Sequence, residues 1–304
     1  MSTRCGRWVP DTPIPQPVKL QFGRPPSVIP GFLKTLLDRR PGRLEEGLTC
    51  PRIEGRVGRL AWTAGSLRRY SEVCGFTASD AVPLPFPHIA AAGLHLQMLL
   101  RPEFPVRLPG LIHVWHRIQN VVPLRGSDGL TIGAWIEGHQ DAESGAEFCL
   151  HTELRQDGEA VWQEQTGFLA RSVRRASSGR PPAEKPGSVE YARVGRWRAD
   201  ADIGRRYARV SRDYNPIHLF ARTARRFGFP AAIAHGMWSL ARCIAELQNQ
   251  TALDPGQVDV RFRRPVLLPA ELVLEAGQDG AGQLAFRLID GVSSAIYLEG
   301  KAAA

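Results

Sequence analysis

The stretch at residues 207–241 reads YARVSRDYNPIHLFARTARRFGFPAAIAHGMWSLA, and the rest of the chain is interpreted around it. Asp213 and His218 lie five positions apart, with Asn215 and Pro216 between them. Proline fixes φ and suits the first turn of a helix, so Asn215-Pro216 predicts a turn or a helix start. Such a turn can bring a carboxylate and an imidazole to one side, where they can exchange protons near neutral pH. The segment therefore predicts an acid–base pair.

A buried helix is predicted to begin at Gly236. Its apolar residues recur at helical spacing: Met237, Leu240, Ala241, Ile244 and Leu247. The first backbone N–H groups of a helix have no internal partner, and the helix dipole favours negative charge there. Gly236 lets a ligand approach that backbone closely, and an N–H there could stabilise a negatively charged oxygen. The preceding His235 is interpreted as a cap or a core hydrogen-bond partner that borders the substrate.

Together these features resemble the MaoC-like family of (R)-specific enoyl-thioester hydratases and 3-hydroxyacyl-thioester dehydratases. The family signature is Ser-Gly-Asp-x-Asn-Pro-x-His, followed by Gly-Phe…Ile-x-His-Gly. The matching residues here are Ser211, Asp213, Asn215, Pro216, His218, Gly228, Phe229, Ile233, His235 and Gly236. The resemblance implies that Asp213 and His218 are the catalytic dyad, that Asn215 supports it, and that the Gly236 N–H is the oxyanion donor.

One position departs from the family pattern. The family usually has glycine where this chain has Arg212. The larger side chain is interpreted as altering the loop or as reaching a phosphate of the substrate, so Arg212 is counted among the substrate-binding residues.

Composition indicates a folded globular protein with a positive surface. The chain has 304 residues, 43% of them hydrophobic, and a formal net charge of +9. Only four of its 39 basic residues are lysines, namely Lys19, Lys34, Lys185 and Lys301. A compositional preference for arginine explains part of this balance. Attraction of anionic partners, the phosphates of coenzyme A or an acidic acyl carrier protein, is the other interpretation. Nucleic acid is not expected, since no basic tract or nucleic-acid motif accompanies the charge.

Cysteines and apolar runs indicate a cytoplasmic protein. The five cysteines are odd in number and form no close pair, so neither a disulfide framework nor a zinc site is signalled. The first residues lack the apolar core of a secretory signal, and no apolar run approaches a membrane-spanning length. No metal or redox cofactor is predicted, because the sequence contains no recognisable ligand motif and no glycine-rich phosphate fingerprint.

Domain organisation is predicted from composition shifts and a weak internal repeat. Residues 1–47 form a lead with one short helix near residues 32–37, residues 48–173 a first unit, residues 174–188 a Pro- and Gly-rich linker, and residues 189–304 a second unit. Each unit orders a helix before antiparallel strands. The resemblance implies an α+β protein with two hotdog domains, a long helix wrapped by a sheet, paired as a pseudo-dimer. A homodimer of such chains is a further expectation.

The first unit is predicted to be catalytically degenerate. Counting from Tyr70, Phe76 stands where Asp213 would, and Ala78 and Ala81 stand for Asn215 and His218. The first unit spans 23 positions from Tyr70 to Gly93, against 29 from Tyr207 to Gly236, so it is six residues shorter. Phe76 and Met98 are predicted to line a slot for the acyl tail, which would favour longer acyl chains. The four histidines of the first unit, His88, His95, His113 and His116, are interpreted as structural or surface residues, because no matching carboxylate motif accompanies them.

The predicted reaction is that of a hydro-lyase in fatty-acid metabolism. It adds water reversibly across a trans-2-enoyl thioester to give a (3R)-3-hydroxyacyl thioester. The sequence does not decide which of Asp213 and His218 is acid and which is base, nor the carrier or the acyl chain. A hotdog thioesterase shares the fold but lacks the Asp-x-Asn-Pro-x-His segment. A non-catalytic acyl-thioester-binding scaffold is the third alternative, and only Arg212 encourages it.

Overall fold

The computed structural model describes residues 16–45, 47–77, 81–124, 126–171, 189–251, 253–280 and 282–304. The predicted linker at residues 174–188 and the predicted counterpart of Asn215, Ala78, lie outside the described residues.

Twelve strands of the described residues form one mixed sheet. They are β1 (Val18–Phe22), β2 (Ile53–Val57), β3 (Leu111–Asn120), β4 (Leu130–Ile136), β5 (Gln140–Ala142), β6 (Gly145–Gln156), β7 (Glu159–Arg171), β8 (Ala192–Ala199), β9 (Gln257–Phe262), β10 (Ala270–Gln278), β11 (Leu284–Asp290) and β12 (Ile296–Ala303). Their order across the sheet is β1-β2-β4-β6-β7-β3-β9-β12-β11-β10-β8, and β5 pairs with β6. Strands β1 and β2 are parallel, and the other pairs are antiparallel.

Seven α-helices of the described residues accompany this sheet. They are α1 (Val28–Leu37), α2 (Ala64–Cys74), α3 (Phe86–Leu99), α4 (Ile203–Ser211), α5 (Pro216–Leu219), α6 (Ala221–Arg225) and α7 (Gly236–Gln250). A short 3-10 turn at Leu108–Gly110 precedes β3. The long helices α3 and α7 are the predicted central helices of the two units, and both carry largely buried residues. Helix α3 packs on β2 and β4, whereas α7 packs on β8. No helix among the described residues is long and apolar enough to cross a membrane.

Alternating burial explains why these segments form strands. Along β4 and β10, buried residues alternate with partly exposed ones, as expected where only one face of a sheet is covered. Strand β9 alternates in the same way, with Val258 and Val260 fully buried. The buried face of each half-sheet is the one covered by its central helix.

The two halves of the sheet meet at one seam between β3 and β9. These strands pair antiparallel from Trp115 opposite Arg261 to Gln119 opposite Gln257. Strands β1 to β7 lie on one side of the seam and β8 to β12 on the other. The predicted α+β architecture, two hotdog units paired as a pseudo-dimer, is confirmed.

The segment before the first unit also has regular structure. Strand β1 pairs in register with β2, from Val18 opposite Ile53 to Phe22 opposite Val57. The predicted short helix is part of α1. The domain boundaries derived from the sequence stay a prediction.

One apolar triad of the sequence does not form a strand. Leu60, Ala61 and Trp62 lie in a loop, and the strand of this region is β2. The apolar character of the triad has another cause, because Leu60 is buried in the core and the Trp62 ring packs edge-on against Phe86 at 5.3 Å. Helix α2 follows this loop and is capped by Thr63, which forms a capping box with Ser66.

Candidate active site

The loop between α4 and α5 is built from consecutive side-chain-to-backbone hydrogen bonds. Ser211 Oγ accepts a hydrogen bond from the Asp213 N–H at 3.2 Å, and Asp213 Oδ1 accepts one from the Asn215 N–H at 3.0 Å. Asn215 caps α5, where its Oδ1 accepts from the Ile217 N–H at 3.4 Å, and Pro216 occupies the first turn as predicted. These local bonds direct the Asp213 side chain toward α5.

Arg212 ends α4 in the left-handed conformation, with φ 63° and ψ 12°. Glycine adopts this conformation without steric cost, which explains in physical terms why the family signature has glycine here. The Arg212 side chain is exposed beside the loop that contains Asp213. The arginine therefore strains the loop slightly and adds a positive charge at its surface.

A close backbone approach fixes His218. A Cβ built on Gly204 of α4 would lie 1.9 Å from the His218 carbonyl oxygen, so only glycine allows the two segments to touch. Sequence reasoning did not identify Gly204. A glycine inside a short helix can be seen in the sequence, but the sequence does not show that Gly204 contacts His218.

Asp213, His218 and His235 converge on one point. The Nε2 atom of His218 lies 4.0 Å from Asp213 Oδ2, and the Nε2 atom of His235 lies 3.7 Å from the same oxygen. The two imidazole rings stack with centroids 3.7 Å apart. Both histidines are buried, whereas the Asp213 side chain is 43% exposed. The carboxylate is therefore the edge of the cluster that solvent or a ligand can reach.

The hydrogen-bond partners settle where each histidine carries its proton. His218 Nδ1 lies 2.9 Å from the Ile233 carbonyl oxygen, which can only accept, so Nδ1–H donates and Nε2 presents its lone pair toward Asp213. His235 Nε2 lies 3.0 Å from the Asp213 carbonyl oxygen and must donate there. His235 occupies the N-cap position of α7, but its side chain makes no capping hydrogen bond. The remaining lone pair of His235, on Nδ1, is directed away from Asp213. Asp213, His218 and His235 therefore offer a metal ion at most two side-chain ligands.

The protonation states suit a base beside a negative charge. Burial lowers the pKa of His218 below its usual value, although Asp213 opposes this shift. Burial lowers the pKa of His235 to about 3. For Asp213, burial would raise the pKa, but the neighbouring His235 and His218 outweigh it and the pKa is lowered. At neutral pH, His218 is therefore neutral and Asp213 ionised.

The helix predicted after His235 begins at Gly236, as α7. The Gly236 N–H makes no hydrogen bond to another described residue, as expected at a helix N-terminus. A Cβ built on Gly236 would lie 3.1 Å from Phe262 Cε1. The glycine thus lets the Phe262 ring pack against the helix start and keeps the N–H uncovered by a side chain of its own.

Phe76 and Met98, predicted to line an acyl slot, pack within or against the apolar core. Met98 is fully buried on α3, and its sulfur would lie 2.9 Å from a Cβ built on Gly55 of β2. The partly buried Phe76 stacks on Tyr70 at 6.2 Å. The slot stays a prediction, and activity measured against acyl chain length tests it.

Sequence reasoning missed a second carboxylate–histidine cluster, which lies in the first unit. His88 Nδ1 lies 2.9 Å and His116 Nε2 3.0 Å from Glu164 Oε2, and the Glu164 side chain is fully buried. His95 Nε2 lies 3.6 Å from Glu164 Oε1 and 2.8 Å from Thr152 Oγ1. No sequence motif indicated a carboxylate beside these histidines, but strand pairing brings Glu164 of β7 beside β3.

Charge compensation keeps Glu164 ionised inside the protein. Burial alone would raise its pKa, but His88 and His116 outweigh burial and lower the pKa well below its usual range. Burial would lower the pKa of His88, yet the Glu164 carboxylate raises it. Burial lowers the pKa of His95 to about 4 and also lowers that of His116.

The two clusters are electrostatic neighbours. The charge of His88 lowers the pKa of Asp213, and Asp213 raises the pKa of His88. A second connection runs through rings: His113, which contacts His116, also lies 4.7 Å from the ring of Phe262 beside Gly236. The first unit therefore borders the site of the second unit with histidines.

Fold and site together define a double-hotdog protein with an Asp–His pair beside the start of a central helix. The comparisons with known proteins agree with this class. A family model described as MaoC like domain matches residues 180–298. The 3-hydroxyacyl-thioester dehydratase X of Mycobacterium tuberculosis is 31% identical over 265 residues, which cover 85% of this chain and 93% of that protein. The chain belongs to the MaoC-like dehydratase family.

Solved structures agree in fold. The crystal structure of HtdX of Mycobacterium tuberculosis superposes with a TM-score of 0.69 at 25% identity, covering 82% of this chain and 98% of that one. A MaoC-like dehydratase from Phytophthora capsici gives a TM-score of 0.68 at 16% identity, covering 84% of this chain and 96% of that one. The second similarity concerns the fold alone.

Proposed function

We propose that the protein is a hydro-lyase that interconverts trans-2-enoyl and (3R)-3-hydroxyacyl thioesters, with Asp213 and His218 as its acid–base pair. The observation that carries this proposal is the 4.0 Å separation between His218 Nε2 and Asp213 Oδ2. It is too long for a direct hydrogen bond, and an oxygen atom between or beside the two groups could contact both. That oxygen would be the water that is added or the 3-hydroxyl group that leaves.

The protonation states restrict how the proton moves. His218 Nδ1–H is held by the Ile233 carbonyl, and Asp213 is ionised, so neither group starts with a proton to give. In the hydration direction, His218 Nε2 takes a proton from water while the oxygen bonds to C3. The same proton then passes from His218 to C2. Asp213 orients the water and stabilises the imidazolium that forms between the two transfers.

A single proton carrier has a stereochemical consequence. Because His218 faces one side of the double bond, the hydroxyl group and the proton add to the same face. Hydration in D2O should therefore place deuterium at C2 on the face that receives the oxygen, which NMR of the product can measure. Addition to opposite faces would require a second proton donor and would contradict this mechanism.

Gly236 completes the proposed machinery. As water adds to C3, negative charge develops on the thioester oxygen, and an N–H at the start of α7 can donate a hydrogen bond to that oxygen. Asn215 and His235 hold the loop and Asp213 through backbone contacts rather than through the reacting atoms. They are proposed as positioning residues of the substrate site.

The proposed substrate is an acyl thioester of coenzyme A or of an acyl carrier protein. The excess of basic over acidic residues and the exposed Arg212 beside the Asp213 loop support an anionic carrier. Arg212 is proposed to contact that carrier. Pairing of two chains as a homodimer is also proposed, on the resemblance alone.

One assay separates the proposal from its alternatives. The full chain is supplied with crotonyl-CoA or 3-hydroxybutyryl-CoA and with longer homologues, on coenzyme A and on acyl carrier protein. Interconversion of the two thioesters is expected, and it should disappear in Asp213→Asn. Release of free thiol would instead indicate a thioesterase. Binding without turnover would indicate a scaffold.

A further inference from the structure

We propose that Glu164, His88 and His116 form a binding site for a divalent ion of the zinc type, independent of the proposed reaction. The ligand atoms are Glu164 Oε2, His88 Nδ1 and His116 Nε2, all within 4.8 Å of one another. They come from β7, from the first turn of α3 and from β3, three elements that enclose one point.

The ligand set and its spacing suit such an ion. Two imidazole nitrogens and one carboxylate oxygen form a common zinc ligand set, with metal–ligand bonds of about 2.0–2.2 Å. Tetrahedral ligand atoms at those bond lengths lie about 3.3 Å apart. The observed separations from Glu164 Oε2 are 2.9 Å to His88 Nδ1 and 3.0 Å to His116 Nε2. An opening of a few tenths of an ångström would admit the ion.

Two buried polar atoms of the cluster lack hydrogen-bond partners among the described residues. They are His116 Nε2 and Glu164 Oε1. His116 Nε2 is close to Glu164 Oε2, but the contact lacks the alignment of a hydrogen bond. Unpaired polar atoms inside a protein are costly, and a cation between these groups would remove that cost.

Two neighbouring residues are placed to accept a hydrogen bond from His116 Nδ1, which is the tautomer that an ion needs. His116 Nδ1 lies 3.2 Å from Thr166 Oγ1 and 3.2 Å from His113 Nε2. An Nδ1–H that donates to either acceptor leaves the Nε2 lone pair directed at the ion. The His88 side chain, 18% exposed, provides the route by which an ion enters.

The Asp213 cluster provides a comparison within the same chain. It also contains one carboxylate and two histidines within 4.8 Å. There, however, His235 Nε2 donates to the Asp213 carbonyl oxygen, so its lone pair is turned away. The geometry thus assigns the ion to Glu164, where it would connect α3 to β3 and β7 and stabilise the first unit.

The test measures metal on the full chain, prepared with an affinity tag that contains no histidine. After treatment with chelator and addition of zinc, one equivalent should remain bound per chain by elemental analysis. Cobalt in place of zinc should give the visible absorption of a four-coordinate cobalt ion. Zinc should also raise the thermal unfolding temperature. A wild-type chain that retains no zinc and gives no cobalt spectrum would overturn the site.

Variants locate the ion. Glu164→Gln should lower zinc affinity by more than the roughly 10- to 100-fold that is usual for outer-shell changes, and Thr166→Val should lower it by roughly that amount. His88→Ala, at the partly exposed ligand, gives the same information if Glu164→Gln does not fold. Asp213→Asn is the matched control and should keep the ion. Loss of zinc in Asp213→Asn with retention in Glu164→Gln would assign the ion to the other cluster and overturn the proposal.

Discussion

The two units each contain a carboxylate between histidines, and the two clusters differ in access and spacing. In the second unit, the Asp213 side chain is 43% exposed, and its nearest imidazole nitrogens lie 3.7 and 4.0 Å away. In the first unit, the Glu164 side chain is fully buried, and imidazole nitrogens lie 2.9 and 3.0 Å away. The same chemical groups therefore stand apart in one unit and in direct contact in the other.

Residue types alone therefore do not define a reactive site. A carboxylate that solvent reaches, beside a neutral histidine with a free lone pair, can exchange protons with a substrate. A fully buried carboxylate whose charge is already balanced by adjacent histidines instead fixes the positions of those side chains.

The largest effect is expected on catalysis in the second unit. Asp213→Asn and His218→Gln should each lower kcat by about 10²- to 10⁴-fold, because each removes one half of the acid–base pair. The double variant should lose little more, since groups that act together are not additive.

Asp141→Asn is the matched control for these variants. Asp141 lies 4.0 Å from His139, the same spacing as in the dyad, but its side chain is 79% exposed. Unchanged kcat is expected in this variant. If the losses in Asp213→Asn and His218→Gln multiply in the double variant, the two residues act independently and the proposed pair is wrong.

The next effect is expected on the stability of the first unit. Glu164→Gln should lower the free energy of unfolding by about 3 kcal/mol in urea with chelator present, because it leaves buried histidines without their charged partner. Glu153→Gln, which removes a partner of the exposed Arg155, should cost less than about 1 kcal/mol. Asp213→Asn should also change stability little, because the carboxylate is half exposed. Equal costs at Glu164 and Asp213 would erase the distinction between the clusters.

A third prediction concerns the helix start beside the dyad. Gly236→Val should lower kcat by about 10²-fold, the loss typical of one oxyanion donor, because its side chain crowds the N–H. The added atoms would meet the ring of Phe262, 3.1 Å from a Cβ at this position. Adding Phe262→Leu should restore stability but not activity if the N–H itself is what matters. Full activity in a folded Gly236→Val protein would rule out the oxyanion assignment.

The lowered pKa values of buried histidines in both clusters predict that the folded protein is less stable at acidic pH. The pKa of His95 is lowered to about 4 and that of His235 to about 3, from a usual 6.5. At a pH between the lowered pKa and 6.5, the unfolded chain binds protons that the folded chain does not. The free energy of unfolding therefore falls as pH decreases from 6.5 toward 4. Each such histidine contributes up to about 1.4 kcal/mol per pH unit. Urea unfolding at several pH values measures the slope, which His95→Gln should reduce. A slope unchanged in that variant would contradict the neutral, buried state of His95.

The smallest effect is expected at Arg212. Because this residue has φ 63°, Arg212→Gly should relieve strain and stabilise the fold by at most about 1 kcal/mol, partly offset by the greater freedom of glycine in the unfolded chain. If the arginine also contacts the carrier, KM should rise while kcat stays unchanged. A destabilised variant would show that the arginine is adapted to this conformation by contacts of its own.

The Asp213–His218 pair of the second unit could be predicted from the sequence, because the two residues are close together along the chain. Asp213 and His218 are five positions apart, and the turn between them is fixed by Asn215 and Pro216. The first cluster depends on pairing between distant strands, with 76 positions separating His88 from Glu164. A compositional signal existed, since four of the eight histidines lie between His88 and His116. It did not indicate which carboxylate they meet, because that depends on the register of β3 and β7.

The seam between β3 and β9 makes the two units mutually dependent. Separating them would expose the backbone groups that now pair from Trp115 to Gln119 and from Gln257 to Arg261. An unpaired strand edge of this kind seeks another strand and promotes aggregation. His116, a ligand of the proposed ion site, lies on this same edge opposite Val260. The first unit thus covers the β9 edge of the second unit's sheet, and a gene fragment encoding the second unit alone would leave that edge unpaired.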